Sequence, residues 1–146
     1  MIYLVKVKIA IKKKLLLSQK GEKFKDELLD SVADEGVLRM ESVTPKRTGR
    51  GANSYRKLNT GGNSREIRND VFYLPWVNDG TGIYGPTHQR ITPKSARFLH
   101  FYWKGGEWFV KSVRGQPPKH FVERGARDIA NSVEKLSVIA ARKVFG

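Results

Sequence analysis

Val122, Ala126, Ile129, Val133, Leu136 and Ala140 recur at steps of 4, 3, 4, 3 and 4 in the last thirty residues of this chain. That spacing keeps one apolar stripe on one side of an α-helix, so the C-terminal part must lie against something else to bury it. Pro117-Pro118 stands where such a helix starts, a position that tolerates proline, and Gly146 follows it as a C-cap. A second stripe, Phe24, Leu28, Leu29, Val32, Ala33, Val37 and Met40, predicts another long helix after an N-cap at Ser18. It ends near Thr44-Pro45, because proline biases the residue before it away from helix.

Between and before the helices the period changes to two. Val5, Val7, Ile9 and Ile11 alternate with Lys6, Lys8 and Ala10, the pattern of a half-buried strand. Thr60-Gly61-Gly62-Asn63 is a turn signal between residues 53–59 and 64–69. Lys104-Gly105-Gly106 is another, between the aromatic-rich segments 97–103 and 107–113. Between the hairpins, Asp70 is placed to cap a short helical piece over residues 71–77. The expectation is an α+β fold: a small antiparallel sheet of two hairpins plus an N-terminal strand, packed against two long helices. At 146 residues it is read as a single domain. Segments 44–68 and 78–96 are read as mobile assembly loops.

Composition closes several routes. There is no cysteine, so disulfides, thiolate metal sites and a cysteine nucleophile are excluded. No apolar run approaches the roughly 18 residues of a membrane span, and no small-residue cleavage site follows the N-terminal segment. The chain is therefore expected in a cytoplasm, without a membrane partner. The 28 Lys and Arg against 14 Asp and Glu leave +14, spread along the whole length, which points to a polyanion. Lys46, Arg47, Arg50, Arg56, Lys57, Arg65 and Arg68 form the densest run, opposed only by Glu66, and Lys12-Lys13-Lys14 form a second cluster. Asp26, Glu27, Asp30 and Asp34 make the first helix the one acidic stretch.

Chemistry is sparse. His88, His100 and His120 fit no metal-ligand spacing, and neither a metal nor a cofactor is expected. His88 beside Arg90 is the best seed for a basic nuclease, with plain solvation the simpler reading. The loop Asp79, Gly80, Thr81, Gly82, Ile83, Tyr84, Gly85 matches no phosphate-cradling motif and reads as a tight turn. The rings of Phe101, Tyr102, Trp103 and Trp108 are suited to stacking on bases, but core packing on a sheet face is the simpler role.

Three motifs in order form a larger pattern: Thr44-Pro45-Lys46-Arg47-Thr48-Gly49-Arg50 after a long helix, Trp76-Val77-Asn78-Asp79-Gly80-Thr81, and Gly115-Gln116-Pro117-Pro118-Lys119-His120-Phe121 opening the last helix. Over roughly residues 20–146 the chain resembles the tail-completion, or neck, family of long-tailed siphophages, the gene-product-ten-like family of lambdoid phages. The resemblance implies a virion protein without catalytic activity, assembled in the host cytoplasm into a homo-oligomeric ring at the head–tail junction. Its implied partners are its own copies, the connector or head-completion protein, the tail-tube protein, and genome DNA passing without sequence readout. A ring needs two complementary patches per subunit. The acidic face at Asp26, Glu27, Asp30 and Asp34 and the basic 44–68 edge are expected to form that pair, with the loop at Asp79–Tyr84 as an assembly contact. A free-standing nucleic-acid-binding module and a small nuclease or toxin using His88 or His120 are the alternatives.

Overall fold

Ser18 accepts a hydrogen bond at Oγ from the Gly21 amide (3.0 Å) and starts helix α1, Gln19–Val43. The computed structural model describes residues 3–8 and 18–146, with the side chains of residues 3–7 excepted. Helix α1 ends as the sequence predicts, where the Thr44 amide bonds the Met40 carbonyl ahead of Pro45. Leu28, Leu29, Val32, Ala33 and Met40 of its stripe are buried. Each large aliphatic among them contributes about 1.5–3 kcal/mol by leaving water.

Strand β1, Tyr3–Lys8, pairs antiparallel with β3, Ser64–Asn69, which pairs on its other edge with β2, Arg56–Asn59. The predicted alternation beyond Lys8, at Ile9 and Ile11, and the cluster Lys12-Lys13-Lys14 lie outside the described residues. Strand β3 alternates strictly: Arg65, Ile67 and Asn69 are buried while Ser64, Glu66 and Arg68 are half-buried. Helix α1 packs on this sheet so closely that a Cβ at Gly36 would lie 2.2 Å from Ile67 Cδ1. Tyr55 and Thr44 join their hydroxyls at 3.0 Å, tying the loop after α1 back to its end, and burial pushes the Tyr55 phenol above its usual range.

Helix α2, Leu74–Asp79, has Pro75 in its first turn and no side-chain cap; Asp70 instead pairs with Arg56 and Arg68. Strands β4, Leu99–Trp103, and β5, Gly106–Val110, form a separate two-stranded sheet. Helix α3, Phe121–Phe145, begins after Pro117-Pro118 and runs antiparallel to α1, since Lys143 pairs with Glu27 and Phe145 meets Phe24. Its buried positions are Phe121, Gly125, Ile129 and Ala140, while Ala126 is exposed. The difference from the predicted stripe follows from Gly125, where α3 lies so close to α1 that a Cβ would be 2.3 Å from Met40 Sδ. Gly146 stands at φ +93° and its amide bonds Arg142, the expected cap.

The fold is α+β, with two small antiparallel sheets where the sequence suggested one. The chain folds as two compact units: residues up to Phe72 together with Phe121–Gly146, and Tyr73–His120. The first contains the two long helices and the three-stranded sheet; the second contains α2, the glycine-rich loop and the aromatic hairpin. No described helix is long and apolar enough to cross a membrane.

Candidate interaction sites

The acidic stretch and the basic stretch meet inside one chain. Arg65 is only 4% exposed and sits on the inner face of β3, one pleat from Ile67. Its Nε donates to Asp30 Oδ1 at 2.8 Å, a second nitrogen stands 3.6 Å from Asp26, and a third donates to the Ser64 carbonyl. Lys57, opposite Ile67 on β2, reaches Asp34 at 2.7 Å and Asp30 at 3.7 Å. Arg56 and Arg68 face each other across β2 and β3, a pairing that would repel, and Asp70 bridges both. Glu27 is paired with Lys143.

The two blocks expected to pair between subunits are thus paired, in large part, within one chain. Asp26, Glu27, Asp30 and Asp34 are matched at home, as are Arg56, Lys57, Arg65 and Arg68. Reversing Arg56 and Lys57 to Glu therefore removes the Lys57 pair of Asp34 and one of the two cations at each of Asp70 and Asp30, within the fold, before it touches any ring contact. The strand alternation carried the signal: Ile67 is the apolar residue of β3, and a period of two puts Arg65 on its face.

The Arg65 guanidinium bonded to Asp30 holds that carboxyl below the usual carboxylate range, with the Lys57 charge acting in the same sense and partial burial opposing both. A depressed folded value means the interaction is complete above the ordinary pKa of about 3.9 and is lost as pH falls through the lower folded value. The Asp30→Asn variant is accordingly expected to melt below the parent at neutral pH. The gap should close in acid, once pH has fallen through the lowered folded value of Asp30, in thermal melts followed by circular dichroism.

Three bases of the run remain unmatched. Lys46, Arg47 and Arg50 are exposed in the loop after α1 and make no ion pair among the described residues. Gly49, at φ +81°, lets this loop turn, and the Asn53 amide closes it on the Gly49 carbonyl.

In the other unit, the loop at Asp79–Tyr84 is bonded to residues 113–120. The Thr81 and Ile83 amides donate to the Gln116 and Arg114 carbonyls, each at 2.9 Å, and Thr81 Oγ1 accepts from the Gln116 amide at 3.0 Å. The Lys119 and His120 amides bond the Asn78 carbonyl, both at 3.1 Å. The two backbones touch through glycine: a Cβ on Gly82 would lie 2.1 Å from the Arg114 carbonyl oxygen, and one on Gly115 would lie 2.1 Å from that of Thr81. A Cβ on Gly80 would also be too close, 2.9 Å from the Gln116 carbonyl oxygen. Tyr84 lies beneath the Arg114 guanidinium.

His88 and Arg90, the nuclease seed, do not converge: His88 stands 3.4 Å from the Ile83 carbonyl, and Arg90 donates to Ser112. No cluster of three His, Asp or Glu suited to a metal occurs among the described residues. No protein-family model matches the chain, and neither the curated proteins nor the solved structures contain a match to it.

Proposed function

We propose that the chain is a ring-forming structural protein of a tailed phage, at the head–tail junction, joining connector to tail tube while DNA passes through. The observation that carries this reading is the union of two of its three family-like motifs. The loop at Val77–Thr81 and the segment at Gly115–Phe121 are remote in sequence, yet residues 77–82 and 114–120 are bonded and sterically interlocked through glycine. Such a lock presents a fixed surface to a neighbour, which suits an assembly contact better than a catalytic loop that must open.

The third motif supplies the charge. With four bases of the run matched within the chain, Lys46, Arg47 and Arg50 are its members available to a passing duplex, and a helix-end loop brings them together. Contacts of this kind neutralise phosphates and carry no sequence readout. Sequencing the flanking genes tests the assignment: a connector or head-completion gene on one side and a tail-tube gene on the other are expected. A neighbouring antitoxin gene with no virion genes nearby would contradict it.

The same three bases favour the second reading, a free-standing nucleic-acid-binding module. That reading leaves the interlocked loops without a role.

A further inference from the structure

The aromatic hairpin does not form a core. Tyr102 is 74% exposed, Phe109 61%, Trp103 53% and Trp108 50%. A two-stranded sheet has two faces, and alternation sorts the rings between them. On one face His100 stacks on Phe109 with centroids 4.5 Å apart, and Glu107 accepts from both His100 and Tyr102, so that face is internally satisfied.

The other face carries Phe101, Trp103 and Trp108 and opens onto a shallow groove of about 670 Å³, also lined by the bridged pair Ile91 and Val113. The volume is in the range of built ligand sites, roughly 300–1,000 Å³. Trp108 Nε1 donates to the Trp103 carbonyl at 3.2 Å, which fixes that indole.

The groove is rimmed by cations. Lys104 lies 5.7 Å from the Trp103 ring centroid and Arg114 lines the same groove, and no carboxylate is among the lining residues. The whole unit, Tyr73–His120, holds seven Lys and Arg against Asp79 and Glu107. Of those two acids, Glu107 is engaged on the opposite face and Asp79 accepts from Asn78. Lys104 occupies the left-handed region at φ +50° in a turn completed by Gly105 at +77°, a position where Asn sits with less strain. The chain thus bears backbone strain at the point that puts a cation over an indole.

We propose that this groove binds single-stranded nucleic acid without sequence readout, its bases lying on Phe101, Trp103 and Trp108 and its phosphates beside Lys104 and Arg114. Exposed rings flanked by cations match a strand that offers unpaired π faces and phosphates together. A duplex offers only the phosphates, since its bases are already stacked, and an acidic peptide offers only the carboxylates unless it brings its own rings. The inference does not depend on ring formation: a monomer with this hairpin has the same groove.

The test uses the full chain and labelled oligo(dT) of roughly 15 nucleotides, near the upper end of known single-strand site sizes. Fluorescence anisotropy gives affinity and tryptophan quenching reports engagement of the rings. Oligo(dT) should bind about ten-fold tighter than a duplex of equal length. Trp103→Ala and Trp108→Ala should each lose roughly ten-fold, with Trp108→Phe retaining most of the affinity. Lys104→Asn, which relaxes the turn and so keeps the fold, should lower the salt slope by about 0.7. Equal affinity for duplex and single strand would overturn the proposal, as would tryptophan variants that bind oligo(dT) like the parent. Displacement of oligo(dT) by polyglutamate at equal charge would overturn it too, assigning the groove to an acidic peptide.

Discussion

Replacing Gly115 with alanine is expected to destabilise the Tyr73–His120 unit by about 3 kcal/mol or more. Gly115 has φ +88°, where a Cβ alone costs roughly 1–2 kcal/mol. Here the new carbon would also lie 2.1 Å from the Thr81 carbonyl oxygen and 2.4 Å from its carbon. These are backbone atoms and cannot rotate away, so the Thr81–Gln116 and Ile83–Arg114 hydrogen bonds must lengthen to admit it. Gly105→Ala is the matched control: φ is +77°, yet nothing lies within 4 Å of the added carbon, so only the conformational strain of about 1 kcal/mol should appear. Trp76, Trp103 and Trp108 are the chain's three tryptophans and all belong to this unit, so urea unfolding followed by their emission reads the effect locally. Similar midpoints for the two variants would show that the loop is not interlocked.

Arg65→Ala should cost the helix-and-sheet unit about 2 kcal/mol. Breaking a buried ion pair costs roughly 3–5 kcal/mol, and the figure is reduced here because Asp30 and Asp26 keep about half of their exposure to water. The loss leaves Asp30 and Asp34 with Lys57 as their shared cation, removes the ion pair of Asp26, and opens a void beside Ile67. A melting temperature about 8 °C lower is expected by far-ultraviolet circular dichroism, which follows α1 and α3. Arg65→Met fills the void and should recover part of the loss. An Arg65→Ala protein as stable as the parent would mean that the network does not hold helix α1 on the sheet.

The parts of this fold that could be read from the chain are those governed by local rules. The Ser18 cap, the Pro45 stop, the turns at Gly61-Gly62 and Lys104-Gly105 and the α1 stripe each depend on a few neighbouring residues, and each stands where the pattern put it. What stayed hidden needs two distant segments at once. Charge blocks 26–34 and 56–68 look like separate surfaces until β3 lies under α1 and turns Arg65 inward. The Asp79–Tyr84 loop looks open until residues 113–120 close on it. Gly125 breaks the hydrophobic count of α3 because a helix crossing selects for small size as well as for apolarity. The aromatic hairpin misled in the opposite sense: ring density suggested a core, whereas a two-stranded sheet has too little area to cover its own rings.

The measurement that tests the central claim most directly is native mass spectrometry of the full chain, with negative-stain imaging, across a salt series and with added duplex DNA. At +14 per chain, copies repel one another at low ionic strength. Screening, with a Debye length of about 8 Å at physiological salt and 3 Å at 1 M, or neutralisation by DNA, removes that barrier. The account predicts closed rings of one copy number with an open centre, appearing as salt rises or as duplex is added. A monomer under every one of these conditions would contradict it.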